Sequence, residues 1–216
     1  MHWNHGRMRS ARLGLLGVSA LLPTFCIAFS TSAVCAQGQD DWERSTEAQS
    51  FELKQKAVLA ELVRINGNGT DQKLKTELLA MRKTGQDTRA EMFALPNAKH
   101  SILGPELEHT DAALTEELKQ IVVSHGWPTI ALVGLETSRA AALILIHSPD
   151  HGFQRHLLPE LQGLVQERRI VGSDIAMLVD KMLVAEGKPQ RFGTQFAAKA
   201  NGPWVMDPVE DPAHLD

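Results

Sequence analysis

The residue types in this chain that could do chemistry gather in two stretches. In the first, His147, Asp150, His151 and His156 lie close together. Imidazole and carboxylate are the metal ligands open to a chain without usable thiols. Their spacing does not favour a shared ion. His147 and His151 are four apart, but Pro149 stands between them and interrupts any helix that would present both. His156 falls on another helical face, and no pair of histidines flanks a glutamate at zinc-protease spacing. No metal and no cofactor are therefore expected, with His147, Asp150 and His151 as the weaker alternative set. His147 reads first as a hydrogen-bonded cap at the end of an apolar helix. There is no Gly-x-Ser-x-Gly elbow, so Ser148 is better used as a helix N-cap than as a nucleophile. Gly67-Asn68-Gly69 is a break between helices and not a phosphate-binding turn.

The second stretch is Gln190, Thr194 and Gln195, with Asp180 ten residues before its start. Neutral amides and a hydroxyl can orient a ligand, or they can satisfy backbone groups where two elements meet. The structural use carries the larger share. The functional one gains if Asp180 and His147 converge on the same polar site.

The elements that must position these residues are mostly helical. Ser173 reads as an N-cap and Asp174 suits the first turn. Ile175, Leu178, Val179, Met182 and Leu183 make one apolar helical face, ended by Gly187 and Pro189. Arg191 to Phe196 alternates as a short strand, and Asn201-Gly202 with Trp204 to Val209 suggests a return, giving a flap over about 190–210. Upstream, helices are expected over 48–65, from Thr70 as cap to about 92, and from Thr110 to Gly126. A loop is expected over 94–105. Residues 130–135 are ambiguous between strand and helical turn, and 138–146 is the central buried helix. Pro149 to Arg168 forms one or two further pieces. The expectation is a mainly α fold: a single helical domain over 48–216 with five to six helices and a small C-terminal β-hairpin.

Residues 1–36 read as a secretory signal. Arg7, Arg9 and Arg12 precede the apolar run Leu13 to Phe29, and Ala33 to Ala36 offers a cleavage site before Gln37. Residues 37–47 would then be a polar leader. Both cysteines, Cys26 and Cys35, lie in the segment removed, so the mature chain has no disulfide and no thiol chemistry. Cleavage leaves 180 of the 216 residues. The signal carries three arginines and no acid, so the formal net charge moves from −4 to −7. An acidic surface argues against nucleic acid as a partner. No stable membrane insertion is expected once the signal has gone.

A set of motifs in order resembles a known family. Gly126-Trp127-Pro128, Val133-Gly134, Ile146-His147-Ser148, Leu158-Pro159, Ala176-x-Leu178-x-Asp180-Lys181 and Gln190-x-Phe192-Gly193-Thr194-Gln195 are similar to the bacterial domain of unknown function numbered 6624. The resemblance spans roughly Leu78 to Asp211. This chain departs from the family pattern with Ile146 where Gln is typical and Phe192 where Tyr is. It also has Gly85-Gln86-Asp87-Thr88-Arg89 where Asp-Gln-x-x-Arg is expected. The resemblance brings no activity with it. It implies a mostly helical domain with a C-terminal flap, and it points to His147, Asp180, Gln190, Thr194 and Gln195. The expected role is a non-catalytic exported module, periplasmic or secreted, that binds a peptide, glycan or protein partner. The alternative is a cell-envelope hydrolase in which His147 is base or metal ligand and Asp180 orients it within hydrogen-bond reach.

Overall fold

Apolar side chains at three- and four-residue spacing wind this chain into helices. The computed structural model describes residues 46–94, 100–198 and 204–212. Seven helices occur among them: α1 (Thr46–Asn66), α2 (Gln72–Ala94), α3 (His100–His125), α4 (Ile130–Val133), α5 (Leu135–His147), α6 (His151–Gln166) and α7 (Gly172–Ala185). Two short strands follow, β1 (Phe196–Ala198) and β2 (Trp204–Met206), paired antiparallel with Phe196 opposite Met206 and Ala198 opposite Trp204. The mainly α class with a C-terminal hairpin is thus observed. The helix number exceeds five to six because residues 130–133, ambiguous in sequence, form one helical turn. The expected Asn201-Gly202 turn and the signal segment lie outside the described residues.

Several boundaries differ from expectation, each for a local reason. Thr70 does not cap α2. Its N–H and that of Asp71 both donate to Leu132 O, at 2.8 and 2.9 Å, and Asp71 Oδ1 accepts from Leu74 N instead. The loop expected over 94–105 does not extend to Pro105, because α3 already starts at His100 and carries Pro105 near its N-terminal end. There a proline removes a single intrahelical bond. At the next junction the capping moves down by two residues. Ser148 Oγ accepts from Asp150 N, and Asp150 Oδ1 accepts from Phe153 N at 2.9 Å. Helix α6 then runs unbroken past Pro159, which sits on its exposed side. Ser173 lies inside the first turn of α7, which begins at Gly172 without a side-chain cap.

Helix α5 is the centre of the domain. Ala140, Ala141 and Leu145 are wholly buried, and α2, α3 and α7 pack around it. Leu78, Leu118, Leu161 and Leu178 come in from the surrounding helices and are also wholly buried. Each such leucine contributes about 1.5–3 kcal/mol relative to an exposed one. A second, smaller cluster joins Leu62 of α1 to Ile130 and Val171, with Leu59 and Leu135 against it. Asn66 adds a polar stitch by donating to Leu62 O and Arg168 O.

The turn between α1 and α2 docks backbone to backbone against the turn between α4 and α5. Gly69 (φ +86°) and Gly134 (φ +83°) meet there. A Cβ on Gly69 would stand 2.3 Å from Gly134 N and 2.4 Å from the Val133 carbonyl carbon, and one on Gly134 would stand 2.7 Å from Asn68 O. Among the described residues no helix is long and apolar enough to cross a membrane.

Candidate functional site

The flap is built on two buried side chains. Asp180 projects from α7 and is wholly buried. One carboxylate oxygen accepts from Arg191 N at 2.7 Å, and both accept from Phe192 N at 3.1 Å. The other accepts from Thr194 N at 3.0 Å and from the Thr194 hydroxyl at 2.9 Å. The chain can turn tightly after α7 because one acceptor-only group gathers the N–H donors that the turn leaves over. Gln195 Nε2 donates to Thr194 Oγ1 at 3.0 Å, which extends the chain of bonds by one amide.

Gln190 is the second pin, also wholly buried. Its Nε2 donates to Gln195 O (3.0 Å) and Asp207 O (2.8 Å), and its Oε1 accepts from Gln195 N (2.8 Å). Its own backbone joins the returning chain, donating to Pro208 O and accepting from Glu210 N, both at 2.8 Å. The side chain therefore crosses the flap and holds both of its limbs. The structure brings Asp180, Gln190, Thr194 and Gln195 into one network.

With its polar groups turned inward, the flap shows an apolar face to solvent. The pairing puts Phe196, Met206 and Trp204 on the same side of the hairpin. Each keeps between 41% and 49% of its surface exposed, and Phe192 at the base keeps 52%. The expectation that Arg191 to Phe196 alternates as a short strand does not hold. Residues 191–195 are bent around Asp180, and the strand begins only at Phe196.

His147 stands elsewhere. It ends α5 and lines a narrow cleft with an accessible volume of about 10 Å³, room for a single water. Arg82, Gly85, Gln86 and Arg89 of α2 and Asp111 of α3 are among the other lining residues. No hydrogen bond joins His147 to Asp180, whose oxygens are taken up by the flap. Nor does His147 cap its helix. Leu145 O accepts from Gln154 Nε2 at 2.9 Å and Ile146 O accepts from Lys181 Nζ. The imidazole makes no side-chain hydrogen bond among the described residues.

Its surroundings are cationic and mostly buried. Arg89 Nη2 reaches both oxygens of Asp111 at 2.7 Å, and Nη1 donates to Gly85 O at 2.9 Å. Burial first, then the positive charges of Arg89 and Lys181, lowers the His147 pKa to about 3. Burial likewise lowers that of Lys181. A neutral imidazole is thereby maintained, but so weak a base is poorly matched to proton abstraction near neutrality. The adjacent cations also oppose a metal ion. The other members of the histidine cluster are engaged separately: His151 Nδ1 pairs with Gln154 Oε1 at 2.9 Å, and Asp150 with Lys119 at 2.8 Å. Among the described residues no group of three His, Cys, Asp or Glu side chains is arranged to hold an ion.

The low His147 pKa has a consequence for acid stability. Between its ordinary 6.5 and about 3 the unfolded chain binds a proton that the folded one refuses. Stability should therefore rise with pH across that window and fall on acidification, by at most about 1.4 kcal/mol per pH unit. Burial raises the Asp174 pKa and works in the opposite sense above 3.8, but it is common to both proteins in a comparison. Urea unfolding of His147→Gln and the parent from pH 7 to 4 should show a flatter acid limb in the variant. Parallel limbs would show that His147 is not the group responsible.

Sequence reasoning missed Asp111, which pairs with Arg89 22 residues away, and Gln154, which reaches back nine residues to Leu145 O, and their types alone carry no signal. Arg89 was visible only through the family-like Gln86-x-x-Arg89 spacing. A family model described as "Family of unknown function (DUF6624)" matches residues 72–216. No curated protein and no solved structure matches the chain.

Proposed function

The chain belongs to this family of unknown function, and from that premise we propose that it is an exported, non-catalytic binding module of the cell envelope that takes a peptide or protein partner on its flap. The observation that carries this is the apolar face of Phe196, Trp204 and Met206, with exposed Phe192 at the base, held out on a hairpin anchored by wholly buried Asp180 and Gln190. Aromatic side chains on a pre-ordered scaffold lose little entropy on binding, and such residues dominate interface energetics. A glycan is the poorer ligand for this surface, because Gln190 has both amide atoms occupied inside the flap. Export is supported by the Arg7, Arg9 and Arg12 region followed by the Leu13 to Phe29 run. The hydrolase reading draws less support, since it requires Asp180 to orient His147 and Asp180 is committed elsewhere.

The test uses protein collected from the envelope of an exporting host, whose N-terminus is expected at Gln37. Photo-crosslinking from position 206 should capture a defined peptide or protein. The paired change Phe196→Ser and Trp204→Ser should weaken that complex by about 10- to 100-fold with Tm unchanged. Equal capture by parent and variant would overturn the flap as the recognition surface.

A further inference from the structure

We propose that the partner of the flap is an extended peptide segment with apolar residues at alternate positions, and that it adds to the outer edge of β1 as a third strand. This rests on the flap being the recognition surface, and it adds which edge is used and in what conformation the ligand binds. Register decides which backbone groups are open. Asp207 N donates to Gln195 O at 3.0 Å, and Phe196 stands opposite Met206. Phe196 and Met206 are therefore a non-hydrogen-bonded pair, and their N–H and C=O groups point away from each other. Ala197 and Val205 bond across the hairpin, and Ala198 repeats the outward orientation of Phe196. Neither the N–H nor the C=O of Phe196 makes a hydrogen bond among the described residues. The edge of β1 is thus an unfilled half-ladder, which an extended chain completes.

The opposite edge is less open. Gln190 N donates to Pro208 O and Gln190 O accepts from Glu210 N, and the bridge between Gln190 and Val209 is parallel. The residues leading into Gln190 therefore run beside the returning limb in the direction of Met206, where an added strand would have to lie. On the β1 side Thr194 N is taken by Asp180, and the edge is open from Phe196 onward.

Side chains set the chemistry of the segment. Phe196, Trp204 and Met206 are exposed on one face of the hairpin, and Ala197 and Val205 on the other. A two-stranded hairpin is marginal in water by itself, and a third strand is what stabilises it. A residue set beside Phe196 extends the row that Met206 begins, about 5 Å away, so an aromatic or β-branched side chain fits there. A helix has no free backbone groups to give this edge. The β1 strand of a second copy offers three residues, far less surface than the roughly 1,200 Å² that stable pairs bury.

The experiment titrates the protein collected from the exporting host with a short neutral peptide of alternating valine and threonine, acetylated and amidated, and follows backbone amides by NMR. Saturable shifts and slowed exchange are expected at the Phe196 and Ala198 amides, which gain acceptors. The Ala197 and Asp207 amides, already bonded inside the hairpin, should stay protected throughout. Affinity should fall at least about tenfold for a peptide N-methylated on the alternate amides that face the edge. Ala198→Pro should lower it as much, because proline is tolerated on an edge but removes the outward donor; protection at Ala197 and Asp207 checks that its hairpin is intact. Equal binding of the N-methylated peptide, undiminished binding by Ala198→Pro with the hairpin intact, or no saturable binding would each overturn the third strand. The same amide shifts on raising protein concentration without peptide would also overturn it, by placing a second copy on the edge. If the strand fails while Phe196→Ser with Trp204→Ser still abolishes partner capture, the apolar face remains the recognition surface. Capture insensitive to that pair removes the flap itself.

Discussion

Gly69→Ala should destabilise the domain by about 3–5 kcal/mol, combining left-handed backbone strain with a clash that no rotamer relieves. The added Cβ would fall 2.3 Å from Gly134 N and 2.4 Å from the Val133 carbonyl carbon. These are backbone atoms at a point where Thr70 N and Asp71 N both bond Leu132 O. To admit a methyl group the turn would have to lift away, losing those bonds and the approach of α1 and α2 to α4. Gly67→Ala is the internal control. Its φ is also positive, +79°, but nothing lies within 4 Å of its Cβ position. It should cost only about 1 kcal/mol, the backbone part alone. Urea denaturation of the two variants separates backbone strain from close approach. Equal losses would mean that the docking of the two turns is not what requires glycine at 69.

The second large effect is expected at Asp180. Asp180→Ala removes the acceptor for the N–H groups of Arg191, Phe192 and Thr194 and for the Thr194 hydroxyl. Donors left buried would cost several kcal/mol, but the flap can lift so that water satisfies them, which limits the loss to about 3 kcal/mol. Asp180→Asn should be only a partial rescue, because its amide nitrogen would face donors and can accept from none of them. Amide hydrogen exchange is the direct readout. Protection at Arg191, Phe192 and Thr194 should collapse while that of Leu145 in α5 persists. Unchanged protection in the flap would show that Asp180 is not its anchor.

The fold class was legible because periodicity is a local property. The apolar face of α7 could be read from Ile175 to Leu183, and the buried character of α5 from Ala140 to Ile146. Cap positions were less so. Thr70, Ser148 and Ser173 have the right chemistry, yet the neighbouring Asp71 and Asp150 cap α2 and α6 and α7 has no side-chain cap. That choice is made by tertiary contacts such as the bonds to Leu132 O. At the flap, residue types and spacing singled out Asp180, Gln190, Thr194 and Gln195, and the structure joins them by hydrogen bonds. Whether an amide faces a ligand or its own backbone depends on where the chain turns, which composition does not encode. His147 was identified by type, but its surroundings are assembled from α2, α3 and α7. The partners that keep it neutral lie 34 and 58 residues away along the chain, at Lys181 and Arg89.

The small cluster beneath α1 bears on where this molecule begins. The family match starts at residue 72, whereas Leu62 of α1 is what covers Ile130 and Val171. Asn66 satisfies Arg168 O across the same seam, at 2.8 Å. A chain trimmed to the family boundary would bare two side chains that are now 0% and 5% exposed and leave that carbonyl to water. It would also lose Gly69, and with it the brace against Gly134. The matched segment and the segment that closes this core are therefore not coextensive: the second reaches back at least to Leu62.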